Sequence, residues 1–101
     1  MGKIKETAKV ISQEKIATDI FSMWIETNAA KEAKPGQFIS VYTKNDAKLL
    51  PRPISICEIN EEKTALRIVY RTVGYGTKEF SGYKKDDEVT ILGPLGNGFP
   101  L

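Results

Sequence analysis

Residues 18–27 read Thr18-Asp19-Ile20-Phe21-Ser22-Met23-Trp24-Ile25-Glu26-Thr27. In an extended chain Phe21, Met23 and Ile25 fall on one side, and Ile20, Ser22, Trp24 and Glu26 on the other. A period of two over this length predicts a half-buried strand. Residues 65–72, ALRIVYRT, repeat the pattern, with Leu66, Ile68 and Tyr70 facing one way and Arg67, Val69 and Arg71 the other. A Pro35-Gly36 turn leads into 37–43, where Phe38, Ser40 and Tyr42 alternate against Ile39 and Val41. Residues 54–59 and 88–92 complete the strong strands, and 8–16 is a weaker one with a polar middle. The connections are short: one helical turn in 28–34 (NAAKEAK), a polar loop at 44–48, a hairpin at 60–63 (NEEK), a second helical turn at 78–81 and a charged loop at 83–87. Six or so short strands without a long helix predict an all-β fold, a small antiparallel barrel with at most one short helix.

The chain has 101 residues, enough for one domain and too few for two. With 41% hydrophobic and 28% charged residues, it has the composition of a soluble globular domain that folds without disulfides. A net charge of +2 is too weak a field to point to nucleic acid or an acidic membrane. Histidine is absent, which removes the commonest zinc ligand and every Ser–His or Cys–His nucleophile pair. The single cysteine, Cys57, excludes an intrachain disulfide and a four-cysteine iron–sulfur cluster within these residues. Any enzymatic chemistry is therefore expected from a bound cofactor or another chain. The polar start MGKIKETAKV carries no signal-peptide pattern, and no apolar run reaches the ~18 residues of a membrane-spanning helix. A cytoplasmic location is the expectation.

Three segments carry polar chemistry, and each has a plain structural reading beside the functional one. In Pro51-Arg52-Pro53-Ile54-Ser55-Ile56 the prolines enforce extended geometry and withhold ladder hydrogen bonds, while the Arg52 fork suits a diphosphate. Equally, this is an edge strand guarded by prolines and a charge. The Arg67–Val69–Arg71 face suits an anion or solvent. In Val73-Gly74-Tyr75-Gly76-Thr77 the glycines let backbone N–H groups converge, and Thr77 is a good helix cap, so the segment is either a phosphate nest or a capped turn. The three together fit one elongated groove for a dinucleotide with a diphosphate at its middle.

The order of these motifs resembles the flavin-binding domain of the ferredoxin reductase superfamily, and within it the electron-transfer subunits of NAD-linked, iron–sulfur dihydroorotate dehydrogenases. The matching residues are Lys34-Pro35-Gly36-Gln37-Phe38, Arg52-Pro53-Ile54-Ser55, Ile68-Val69-Tyr70-Arg71, Gly74-Tyr75-Gly76-Thr77 and the run from Gly93-Pro94-Leu95 through Gly96-Asn97-Gly98-Phe99. The resemblance spans nearly the whole chain. It implies a six-stranded antiparallel Greek-key barrel over 1–95 that binds FAD, followed at 96–101 by the start of a linker.

The resemblance also assigns roles. Arg52 would meet the FAD diphosphate, and Ser55 would hydrogen-bond the redox-active edge of the isoalloxazine. Pro53 and Ile54 would add backbone and apolar contacts. Val69, Tyr70 and Arg71 correspond to the strand beside the flavin and its ribityl chain, and Gly76 and Thr77 to the phosphate-binding turn. No residue is expected to be catalytic in itself and none to bind a metal. Relatives pass electrons from an FMN-containing catalytic dihydroorotate dehydrogenase subunit through a [2Fe–2S] cluster and FAD to NAD⁺, in pyrimidine biosynthesis. They hold the cluster and NAD in a further region with its own cysteines, so these 101 residues are expected to be a fragment, catalytically incomplete alone. Cys57 is expected to be a small strand residue on the Ser55 face. Two alternatives stay open: the FAD domain of another ferredoxin reductase-like oxidoreductase, such as a ferredoxin–NADP⁺ reductase or a hydrogenase-associated flavin subunit, and a non-enzymatic small barrel. As a nucleic-acid module, the latter would stack bases on Tyr42, Tyr70, Tyr75 and Tyr83.

Overall fold

The computed structural model describes residues 4–42, 52–72, 80 and 82–96. Six strands close a barrel: β1 (Ile4–Ala17), β2 (Ile20–Glu26), β3 (Phe38–Tyr42), β4 (Arg52–Ile59), β5 (Ala65–Arg71) and β6 (Glu88–Leu95). All neighbours are antiparallel, in the order β1-β2-β5-β4-β3-β6. Closure removes the free sheet edges that would otherwise template aggregation.

The longest strand makes closure possible. The first half of β1 pairs with β6, from Ile4↔Gly93 to Lys9↔Glu88, and its second half pairs with β2, from Lys9↔Glu26 to Ala17↔Ile20. A register shift between Val10 and Ser12 marks the bend between the two partners. The strand therefore begins four residues before the start that local pattern predicts. Ala8 and Val10 point inward while Lys5, Thr7 and Lys9 face solvent. In β2, Met23 and Ile25 are fully buried, with Phe21 packed beside them. The opposite face is not simply solvated, because Ser22 is buried as well.

Two further boundaries differ from the sequence expectation. β4 starts at Arg52 rather than Ile54, because Pro53 pairs with Ser40 and Arg52 with Val41. β6 runs past Leu92 through Gly93, a cis Gly93–Pro94 peptide and Leu95. Gly93 is needed there: an added Cβ would stand 2.7 Å from Ile39 Cγ2 and 3.3 Å from its Cα. Beyond Gly96, the expected linker lies outside the described residues.

The two barrel ends are plugged differently. At the Glu26/Ala65 end, residues 28–34 form the expected single turn, a 3₁₀ segment over Asn28–Lys31 that buries Ala29 and Ala30. Thr27 caps it, accepting the Ala29 N–H at 3.1 Å and donating its hydroxyl to Glu6 Oε1 at 2.6 Å. At the Arg71 end the plug is aromatic. Phe21 stacks on Tyr70 with centroids 5.8 Å apart, Tyr70 meets the edge of Phe80 at 6.3 Å, and Phe80 lies 5.9 Å from Tyr83.

Candidate functional site

β4 and β5 are neighbours in the barrel, yet their pairing covers only part of their length. It runs from Ile56↔Ile68 to Ile59↔Leu66, with a register shift between Ile56 and Glu58. Among the described residues, the first half of β4 and the last half of β5 are not paired with each other. Each is held on its far side instead, β4 by β3 from Val41↔Arg52 to Phe38↔Ser55 and β5 by β2 from Ile20↔Arg71 to Glu26↔Ala65. Because the strands are antiparallel, Arg52 and Arg71 lie at the same end of the barrel.

Backbone hydrogen-bonding direction alternates along a strand, which decides what faces this open seam. Ile56 directs both its groups to the β3 side, donating to the Gln37 carbonyl at 2.7 Å and accepting the Gly36 N–H at 3.2 Å. Pro53 and Ser55 therefore turn theirs toward β5. Thr72 N–H donates to the Asp19 carbonyl at 2.8 Å, and the Thr64 carbonyl accepts Thr27 N–H at 3.0 Å, so the even-numbered residues of β5 face β2. Val69 and Arg71 therefore turn theirs toward β4. Pro53, which has no N–H, sits where its missing donor breaks no β3 bond. The seam thus presents the Ser55 N–H, the Val69 carbonyl, the Arg71 backbone groups and the Pro53 carbonyl, a row of donors and acceptors suited to the polar edge of a flat heterocycle.

Side chains divide by face. Arg52, Pro53, Ser55 and Arg71 are exposed and Val69 is half-buried, whereas Ile54 and Tyr70 point into the core. Ile54 and Tyr70 anchor the seam from the core, while their backbone groups are turned to β3 and β2, opposite Ile39 and Phe21. Gly76 and Thr77 lie outside the described residues, as does the helical turn expected at 78–81 apart from Phe80. Arg67, on the same strand face as Arg71, is engaged locally: its Nε donates to Ser22 Oγ at 2.7 Å, and its Nη1 stands 3.4 Å from Glu58 Oε1 and 3.9 Å from Cys57 Sγ. That leaves Arg52 and Arg71 as the guanidinium groups facing solvent here. Cys57 is exposed in the β4 irregularity, two residues beyond Ser55.

The seam is braced by residues absent from the sequence-based site. Gln37 Oε1 accepts the Lys34 N–H at 2.8 Å, and its Nε2 donates to the Gly96 carbonyl at 2.8 Å. This ties the Pro35-Gly36 turn to the end of β6. Gly36 (φ 94°) and Gly96 (φ 85°) take left-handed backbone, and Gly96 lies against the Phe38 ring. Gln13 is the second omission. It bonds Tyr70 and the 80–83 segment, and as one glutamine in a polar stretch of β1 it gave no periodic or motif signal.

Two hollows lie away from the seam. One of about 330 Å³ sits beside the 3₁₀ turn, with Glu6, Glu26, Thr27 and Asn28 in its wall. Another of about 570 Å³ is lined by Gln13, Phe21, Tyr83 and three lysines, Lys15, Lys84 and Lys85. Neither includes Arg52, Ser55, Val69 or Arg71. The stacking platform that a nucleic-acid module needs is not offered by the described tyrosines: Tyr70 and Tyr83 are buried, and Lys5 covers the Tyr42 ring at 4.7 Å. Tyr75 lies outside the described residues.

The oxidoreductase FAD-binding domain family matches residues 7–99. The dihydroorotate dehydrogenase B (NAD(+)) electron transfer subunit of Streptococcus mutans is 43% identical over 98 residues, covering 97% of this chain and 38% of that protein. Its counterpart in Lysinibacillus sphaericus is 38% identical over 98 residues, covering 96% and 38%. The chain thus spans under two-fifths of the length of these relatives. Among solved structures, an NADH-dependent reduced ferredoxin–NADP oxidoreductase superimposes with a TM-score of 0.82 at 33% identity, over 92% of this chain and 34% of that one. An antiparallel barrel with this strand order, matched along almost its whole length, belongs to the oxidoreductase FAD-binding domain family.

Proposed function

We propose that this chain is the FAD-holding part of an electron-transfer subunit of an NAD-linked dihydroorotate dehydrogenase. The observation that carries the reading is the open β4–β5 seam, along which Arg52 and Ser55 on one strand and Val69 and Arg71 on the other run toward the same barrel end. The residues fit the group. A flavin ring edge carries alternating donors and acceptors, which the Ser55 N–H, the Val69 carbonyl and the Arg71 backbone groups complement. Arg52 supplies a planar fork for the diphosphate, and its exposure leaves that fork accessible. Ser55 would place its hydroxyl at the ring's redox-active edge. Pro53 would give its carbonyl from β4, while Ile54 and Tyr70, with buried side chains, would act by holding the two strands to the core. Gly76 and Thr77 are proposed for the diphosphate from their motif alone.

Bound FAD would supply the redox chemistry, and the chain's own contribution is to bind, orient and tune it. The [2Fe–2S] centre and NAD site are assigned to the remainder of a longer subunit, with 1–95 as the FAD domain and 96–101 as the start of the connection. An FMN-containing catalytic dihydroorotate dehydrogenase subunit is the proposed electron donor. Neither nucleic acid nor a membrane is part of this reading, and a cytoplasmic location goes with it. No helix among the described residues is long and apolar enough to cross a membrane. A second reading, the FAD domain of a ferredoxin–NADP oxidoreductase, is favoured by one observation, the 33% identity to the solved enzyme of that kind.

FAD titration of the chain and of Arg52→Ala, followed by gel filtration, tests the reading. A charge-assisted hydrogen bond to phosphate is worth roughly 1.5–3 kcal/mol, so the variant should bind about tenfold or more weakly. Equal retention by both proteins removes Arg52 from the site.

A further inference from the structure

Gln13 joins three parts of the molecule that are far apart in sequence. Its Nε2 donates to the Phe80 carbonyl at 2.7 Å and to the Tyr83 carbonyl at 2.9 Å, and its Oε1 accepts the Tyr70 hydroxyl. Both amide N–H groups and the carbonyl are thereby used, a set that only a primary amide supplies from one side-chain tip. Glutamate at this position would aim a third acceptor at two carbonyls. Tyr70 lies between Val69 and Arg71, whose backbone groups face the seam, and its ring is held between Phe21 and Phe80. Gln13 itself lines the hollow on the other side of this plug and does not reach the seam.

We infer that Gln13 is a positioning residue for the flavin: by fixing Tyr70 against the Phe80–Tyr83 backbone it sets where the Val69 and Arg71 edge of β5 stands. This rests on the FAD reading of the seam. A half-buried tie of this kind leaves the strand in place when cut, but frees its terminal residues to shift by the few tenths of an ångström that hydrogen bonds to a rigid ring do not tolerate.

The test is FAD titration of the chain carrying Gln13→Met, Tyr70→Phe or both, with Arg52→Ala in parallel. Thermal melting and the visible absorption spectrum of bound FAD are recorded for each. Gln13→Met keeps length and apolar bulk, and Tyr70→Phe keeps the ring while removing one arm of the tie. Gln13→Met should bind FAD about fivefold more weakly, the worth of one net hydrogen bond, with an altered visible band envelope. Tyr70→Phe should show the same spectral change, and the double variant should be no worse than Gln13→Met. Folded Gln13→Met and Tyr70→Phe proteins with lower melting temperatures but wild-type affinity and spectrum would make the tie purely structural and overturn the inference. If Gln13→Met does not fold, Tyr70→Phe alone decides on the same two readouts. Weak binding by Arg52→Ala alone keeps the FAD reading while rejecting Gln13. Absence of FAD binding by the wild-type chain rejects both.

Discussion

Gly93 and Ile39 approach so closely across β6 and β3 that a single methyl group on Gly93 would stand 2.7 Å from Ile39 Cγ2. Ile39 is fully buried, so the neighbour has nowhere to go. Gly93→Ala should lower unfolding free energy by about 1–3 kcal/mol, the usual cost of overpacking a core. A shift in denaturant midpoint with unchanged slope checks it. A midpoint equal to wild type would mean β6 yields at this point.

Gln37 closes the loop between the Pro35-Gly36 turn and Gly96 with two side-chain hydrogen bonds of 2.8 Å each. Both are exposed to solvent, which limits their worth to about 0.5 kcal/mol each. Gln37→Leu should therefore cost about 1 kcal/mol. It should also speed amide exchange at Lys34, whose N–H loses its acceptor. Unchanged exchange at Lys34 would contradict the tie.

Ser55 is exposed on β4 and makes none of the core contacts that stabilise the barrel. Ser55→Ala should leave stability within about 0.5 kcal/mol. On the proposed function it should nonetheless weaken FAD binding about fivefold and move the flavin reduction potential. Identical affinity and potential would take the hydroxyl out of the site.

Glu58 and Arg67 stand 3.4 Å apart, with the carboxylate side more than half exposed. Solvent screens such a pair, so Glu58→Ala should change stability by no more than about 0.5 kcal/mol and leave FAD affinity untouched. Arg67 stays tied through Ser22 in either case. A large loss would show the pair to be better shielded than its exposure implies.

Tyr70 is buried, and desolvation holds its phenol well above the usual tyrosine range, only partly offset by the bond to Gln13. The folded state thus keeps a proton that the unfolded chain releases near pH ~10. The associated stability is complete below that pH and is lost as pH rises past it toward the folded value. Alkaline unfolding should accordingly move to higher pH in Tyr70→Phe, and the tyrosinate absorbance of the wild type should show a late component that the variant lacks.

Alternation made β2, β3 and β5 readable within a residue or two, because one face of each is buried and period-two burial writes itself into consecutive residues. Strand ends were less legible. The first residues of β1 and the last of β6 are polar or glycine- and proline-rich, and they are extended because they pair with each other across more than eighty positions. Of the site, the motifs Arg52-Pro53-Ile54-Ser55 and Val69-Tyr70-Arg71 could be read in line. That Ile54 and Tyr70 face inward follows from the same alternation. That Arg67 is occupied by Ser22, Glu58 and Cys57 does not, since those partners lie on other strands.

Local order in the chain settled the strand character, the turns and the candidate anion-binding groups, all of which depend on residues within a few positions of one another. Only the closed barrel decided that β4 and β5 part beyond Ile56 and Ile68, and that Gln13 reaches Tyr70, Phe80 and Tyr83. Those relations join residues 12 to 70 positions apart, and pairings at such separation leave no periodic trace in either partner's surroundings.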